Sequence, residues 1–107
     1  MIGDKHLNID RETNGNAALN RLVWATASDL GYAAYFTRNT RSTEDDHIPF
    51  LAAGVEAVDL IDLDYPDATM RYWHTADDTL DKTAAASLQA VGDVLLAALP
   101  AIELRIK

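Results

Sequence analysis

The apolar residues of this chain switch between two periods, and that alternation constrains the fold more than any other feature. In "TNGNAALNRLVWATASDLGY", Leu19, Leu22, Val23, Thr26 and Leu30 fall three and four apart, with Asn14 or Asn16 placed to cap the start and Gly31 to close the end. That spacing predicts an amphipathic helix. "AAYFT" and "EAVDLIDL" read as strands, and "DDHIPFLAAG" between them reads as a brief helix closing at Gly54. "HLNI" near the N-terminus is a short extended piece, and "RNTRSTE" a polar connection running over the surface. From about Lys82 onward, Leu88, Val91, Leu95, Ala98, Leu99 and Ile102 return to helical spacing, with Pro100 expected to end or kink the helix near Leu99.

Helices alternating with strands imply an α/β fold, in which strands are covered on both faces. Two or three short strands make a thin sheet, so residues 1–107 are expected to form a single partial domain of a larger one. Ligands of open α/β sheets gather beyond the carboxyl ends of strands, which directs attention to the loop 62–78.

Seventeen acids against nine bases give a net charge of −8, which repels phosphate backbones and anionic lipid, so neither nucleic acid nor a membrane is an expected partner. Cysteine is absent, which excludes thiolate metal sites and disulfides. The first residues lack the basic-then-apolar pattern of a signal peptide. There is no glycine-rich phosphate loop and no nucleophile elbow.

Three histidines, His6, His47 and His74, are spread along the chain without the HExxH spacing that binds a metal from one helix face. Taken from its local sequence alone, His74 is a hydrogen-bonded or surface residue more often than a ligand. Glu44, Asp45 and Asp46 beside His47 fit two readings equally: an acid–base pair, or a helix start whose dipole favours carboxylates. Trp73 reads as a pocket wall or as an aromatic packed over the core edge, and Tyr65-Pro66 as a turn or a pocket wall.

Two motifs in order, "EDDHIPFLAAGVEAVDLIDLDYP" and "YWHTADDTLDK", closely resemble the C-terminal part of the glutaminyl cyclase-like branch of the zinc aminopeptidase family. "MIGDKHLNIDRETNGN" is similar to the family's segment after its middle strands, so the likeness spans nearly the whole chain. The resemblance implies the C-terminal portion of the three-layer zinc exopeptidase (phosphorylase/hydrolase-like) fold, with few short strands flanked by helices. Position by position, it implies that His74 is the last zinc ligand, Trp73 and Tyr65 are substrate-pocket aromatics, Asp45 is a carboxylate in the network around the reacting centre, and His47 is a structural member of its motif. Trp73 is closer to cyclases than to typical aminopeptidases, which have Tyr at that place.

The chain departs from the family pattern at Glu56, where Pro is common, and in a longer loop between Tyr65 and Trp73. The family's other zinc ligands, an Asp and a Glu, and its general-base glutamate are expected upstream of Met1. A catalytic zinc needs about three protein ligands, so zinc is implied for the parent and none is expected to be held stably by this chain. In the parent, the ion would polarise a peptide carbonyl or a side-chain amide, with peptide N-termini as substrates. Relatives imply a secreted or periplasmic parent. Three expectations follow: a segment inactive on its own, a non-catalytic fragment that oligomerises through an exposed sheet edge, or a peptide-binding remnant.

Overall fold

The computed structural model describes residues 1–105. Its elements are strand β1 (Ile9–Glu12), helix α1 (Ala17–Asp29), strand β2 (Phe36–Arg41), a short helix α2 (His47–Ala52), a 3₁₀ turn over Leu80–Lys82 and a long helix α3 (Ala85–Arg105). β1 and β2 pair in parallel, with Ile9 opposite Phe36, Arg11 opposite Thr40 and Glu12 opposite Arg41, and with an irregularity between Ile9 and Arg11. Parallel strands need a crossover, which α1 supplies. The α/β expectation therefore describes the molecule.

Asn16 starts α1 by accepting the Leu19 amide at 2.9 Å, and Gly31, at φ +85°, lets the chain leave it. The buried face of α1 presents Val23, Trp24 and Ala27 to Ile9 and Phe36 on the sheet and to Ala90, Val91 and Val94 on α3. Trp24 meets Phe36 edge-on with ring centres 5.3 Å apart. Alanines at the contact allow α1 and α3 to approach closely. By length and mean hydropathy of 1.6, α3 is long and apolar enough to cross a bilayer, yet Ala90, Val91, Val94 and Ala98 on it are buried within this fold.

Three sequence expectations change. β2 occupies Phe36–Arg41 rather than "AAYFT", so part of the polar "RNTRSTE" is strand: Thr40 and Arg41 pair with β1 while the side chains of 38–40 stay exposed, as suits an edge strand. "EAVDLIDL" lies outside helix and strand and joins no ladder among the described residues. Its Ala57 carbonyl takes the Asn16 amide at 2.8 Å, and strand identity needs a neighbouring backbone, not apolar content alone. α3 runs through Pro100. The ring removes the bond to the Leu96 carbonyl, but Leu96 faces solvent, where water can replace it.

The N-terminal stretch is fastened to the start of α3: Asp4 bridges Thr83, and the Ser87 hydroxyl donates to the Asp4 carbonyl at 2.6 Å. This leaves the Asp4 and Asp62 carboxyls buried near each other, with Asp62 Oδ2 accepting the Asn8 amide at 3.0 Å, while Asp4 Oδ2 and Asp62 Oδ1 find no hydrogen-bond donor among the described residues. Burial pushes the Asp62 carboxyl up to about 7, eased by the Asn8 amide and reinforced by Asp4.

In the unfolded chain that group titrates near 3.8, so between about pH 4 and pH 7 the folded state holds a proton that the unfolded state has released. Its stabilisation is complete below this window and is lost as pH rises through it. Asp62→Asn keeps a hydrogen-bonding group against Asp4 without the charge, so the variant should gain on the wild type as urea unfolding is moved from about pH 5 to about pH 8. Parallel profiles would count against a protonated Asp62.

Candidate active-site cleft

A cleft of about 500 Å³ opens between two loops, with Thr43, Glu44 and Asp45 on one side, Met70, Trp73 and His74 on the other, and Ile61 and Leu63 between them. Each wall is held by buried polar groups behind it.

The first wall depends on Glu12, the last residue of β1, which is 0% exposed. Its carboxylate accepts the Thr43 amide and the Asn14 side-chain amide on Oε2, and the Gly15 amide and His47 Nε2 on Oε1, all between 2.8 and 2.9 Å. Burial raises its pKa, but the Thr43 amide, the His47 ring and the Gly15 amide outweigh that and hold it below the usual carboxylate value. An ionised Glu12 is acceptor-only, so the Nε2–H of His47 donates the hydrogen bond between them. The other ring nitrogen, Nδ1, lies 3.8 Å from Asp59 Oδ2, and neither of these buried atoms has a hydrogen-bond partner among the described residues. Burial raises Asp59, and the Asp45 charge raises it further.

His47 joins the start of α2 to β1 through its bond to Glu12. Asp46 occupies the N-cap position of α2 without a side-chain capping bond. Asp45 is exposed and accepts the Asp46 amide at 2.8 Å, which orients its carboxylate at the cleft rim.

The second wall is a tight loop. Met70 and His74 have φ of 52° and 56°, a left-handed conformation that costs non-glycine residues about 1 kcal/mol or more each. The His74 ring stacks on Trp73, with centres 4.1 Å apart and planes 19° from parallel, and both side chains remain accessible. Tyr65 anchors the loop. Its carbonyl takes the Tyr72 amide at 3.1 Å, its hydroxyl donates to Asp78 at 2.7 Å, and its ring meets Tyr72 edge-on. The Tyr65–Pro66 peptide is cis. Burial and the Asp78 carboxylate push the Tyr65 phenol up to about 12.

Of the residues picked from sequence, the structure brings Asp45, Trp73 and His74 to one cleft. Tyr65, expected along the pocket, is 2% exposed and does not line the cleft, because its hydroxyl and backbone are used to brace the loop. Sequence reasoning missed Glu12, whose available signal was an acid ending a short extended segment just before the Asn14-Gly15 turn. Among the described residues, no three His, Cys, Asp or Glu side chains gather to hold a metal ion.

Residues 1–99 match the family model described as peptidase family M28. The glutaminyl-peptide cyclotransferase of Gloydius blomhoffii is 40% identical over 67 residues, which is 58% of this chain and 17% of that protein. Among solved structures, a glutaminyl cyclase from an Acidobacteriales bacterium is 45% identical with a TM-score of 0.88, covering 98% of this chain and 37% of that one. A Zn-dependent exopeptidase from Parabacteroides distasonis is 29% identical with a TM-score of 0.80, covering 90% and 35%. The chain thus spans well under half the length of the relatives it matches.

Glu12→Ala would leave four donors facing a buried void. It should destabilise the fold by roughly 3–5 kcal/mol in urea unfolding followed by tryptophan fluorescence, whereas Asp45→Ala, at an exposed position, should change stability by about 0.5 kcal/mol or less. Equal effects would remove Glu12 from its place as the anchor of the first wall.

Proposed function

This chain belongs to peptidase family M28, and from that membership we propose that it forms the C-terminal section of a glutaminyl cyclase-like zinc aminopeptidase unit, with His74 as one metal donor. The observation that carries this reading is the meeting of Asp45, Trp73 and His74, from two loops far apart in sequence, in one cleft. The strained backbone at His74 supports it, because such conformations persist at sites where a side chain must point in a fixed direction.

The described residues do not by themselves fit a zinc ion. They offer one accessible imidazole on the loop and no group of three donors, against the three or so that a catalytic site uses. The remaining donors and the general base belong, on this proposal, to the larger unit, and the 107-residue chain is inactive alone.

The side chains present have definable tasks. Trp73 offers an apolar face to a substrate side chain, while Ile61 and Leu63 keep the floor dry. Glu44 and Asp45 place negative charge where the ammonium of a peptide N-terminus would enter, in a chain already at −8. Asp45, held by the Asp46 amide, is positioned to accept and return a proton.

A second reading, self-association, is favoured by α3, which leaves Leu96 and Leu104 about three-quarters exposed (73% and 76%), and by a sheet that has two strands among the described residues. A monomer at all concentrations in sedimentation would count against it.

The purified chain, dialysed against zinc, is expected to retain well under one equivalent and to turn over neither aminopeptidase nor cyclase substrates. A short peptide with N-terminal Gln should nevertheless shift the Trp73 indole and His74 ring resonances, and Asp45→Asn should weaken that effect by about tenfold. Robust turnover would overturn the inactive-segment reading, and an unresponsive Trp73 would remove the substrate cleft.

A further inference from the structure

A second cleft, of about 480 Å³, lies between α1 and the outer edge of β2, and its polar lining is cationic: Arg11 from β1, Arg21 from α1 and Arg38 from β2. In a chain with seventeen acids and nine bases, three of the bases meet here and no carboxylate lines the cleft. None of the three arginines makes an ion pair or side-chain hydrogen bond among the described residues. Arg41, Lys82 and Arg105 by contrast are each paired, with Asp10 and Asp64, Asp81, and Glu56 respectively. The nearest acids along β1 are committed elsewhere: Asp10 accepts the Thr37 hydroxyl at 2.6 Å and Glu12 holds His47.

The floor of this cleft is fixed. Trp24 donates from Nε1 to the Thr37 carbonyl at 2.8 Å, Phe36 packs edge-on against it, and the Arg11 guanidinium lies 5.2 Å from the Trp24 ring centre. Ser28 is also in the lining, and its hydroxyl makes no hydrogen bond among the described residues. Like charges held together without a counter-charge repel, and an anion that enters relieves the repulsion.

We propose that the Arg11–Arg21–Arg38 cleft binds a phosphate-class oxyanion, free or carried as an ester on an apolar group. Guanidinium forks match phosphate oxygens two at a time, and three unpaired cations suit a dianion better than a single carboxylate. Ala25 and Ala33, exposed in the lining beside the buried Trp24 and Phe36, supply the apolar surface on which an ester's body would rest. This cleft shares no lining residue with the one at His74.

The test is an NMR titration of the 107-residue chain at constant ionic strength with inorganic phosphate, with phenyl phosphate and with chloride alone. Saturable shifts of the Trp24 indole and of the three arginines with inorganic phosphate identify a free oxyanion site; saturation with phenyl phosphate alone identifies an ester site. Arg21→Ala and Arg38→Ala, both at exposed positions, should each weaken binding by about tenfold, while the charge-matched Lys5→Ala leaves it unchanged. No saturable shift with either phosphate, shifts matched by chloride, or equal weakening by Lys5→Ala would overturn the proposal.

Discussion

The buried carboxylate of Glu12 is the contact on which the placement of the first cleft wall depends. A charge with no exposure to water is tolerated only when its lone pairs are filled, and four donors from three separate stretches of chain fill them. Because two of those donors are the Thr43 amide and the His47 ring, satisfying Glu12 also fixes where the acidic turn between them must sit. Asp45, exposed and otherwise loosely held, takes its position from a neighbour it does not touch. The same carboxylate fixes the entry to α1 through the Gly15 amide, so the crossover helix and the cleft share one anchor.

The opposite wall uses another device. Tyr65 is buried, braced by Asp78 and by the Tyr72 ring, and the loop above it closes tightly enough to force left-handed backbone at Met70 and His74. Rigid interior groups thus support accessible ones. The accessible side chains of the cleft stand on loops beside an α/β layer, where open sheets leave room for ligands. β1 divides the molecule accordingly: Asp10 and Glu12 bond toward β2, Arg41 and the cleft loops, while Arg11 lies against Trp24 on the α1 side.

Local spacing made the helices legible. Asn16 caps α1 and Gly31 releases it as expected, because capping and positive φ are decided within a few residues. The strands were less legible for the opposite reason. "RNTR" is polar yet pairs with β1, and "EAVDLIDL" is apolar yet pairs with nothing among the described residues, since a ladder is a property of two segments. Pro100 inside α3 is a similar case, where a local rule yields to the helix that contains it. The bracing contacts of Tyr65 were not legible, because an aromatic beside a proline gives no sign of which way its ring will turn.

The sequence by itself determined the α/β alternation, the acidic character and, through its two paired motifs, the family. These are properties of residue type and spacing, and they survive without coordinates. Only the tertiary structure decided that Asp45, Trp73 and His74 share one cleft, that Glu12 is the anchor behind it, that Tyr65 is a brace, and that three arginines meet without an acid. Each of these is a distance between residues remote along the chain, and such distances are set by how buried polar groups find partners when the layers close.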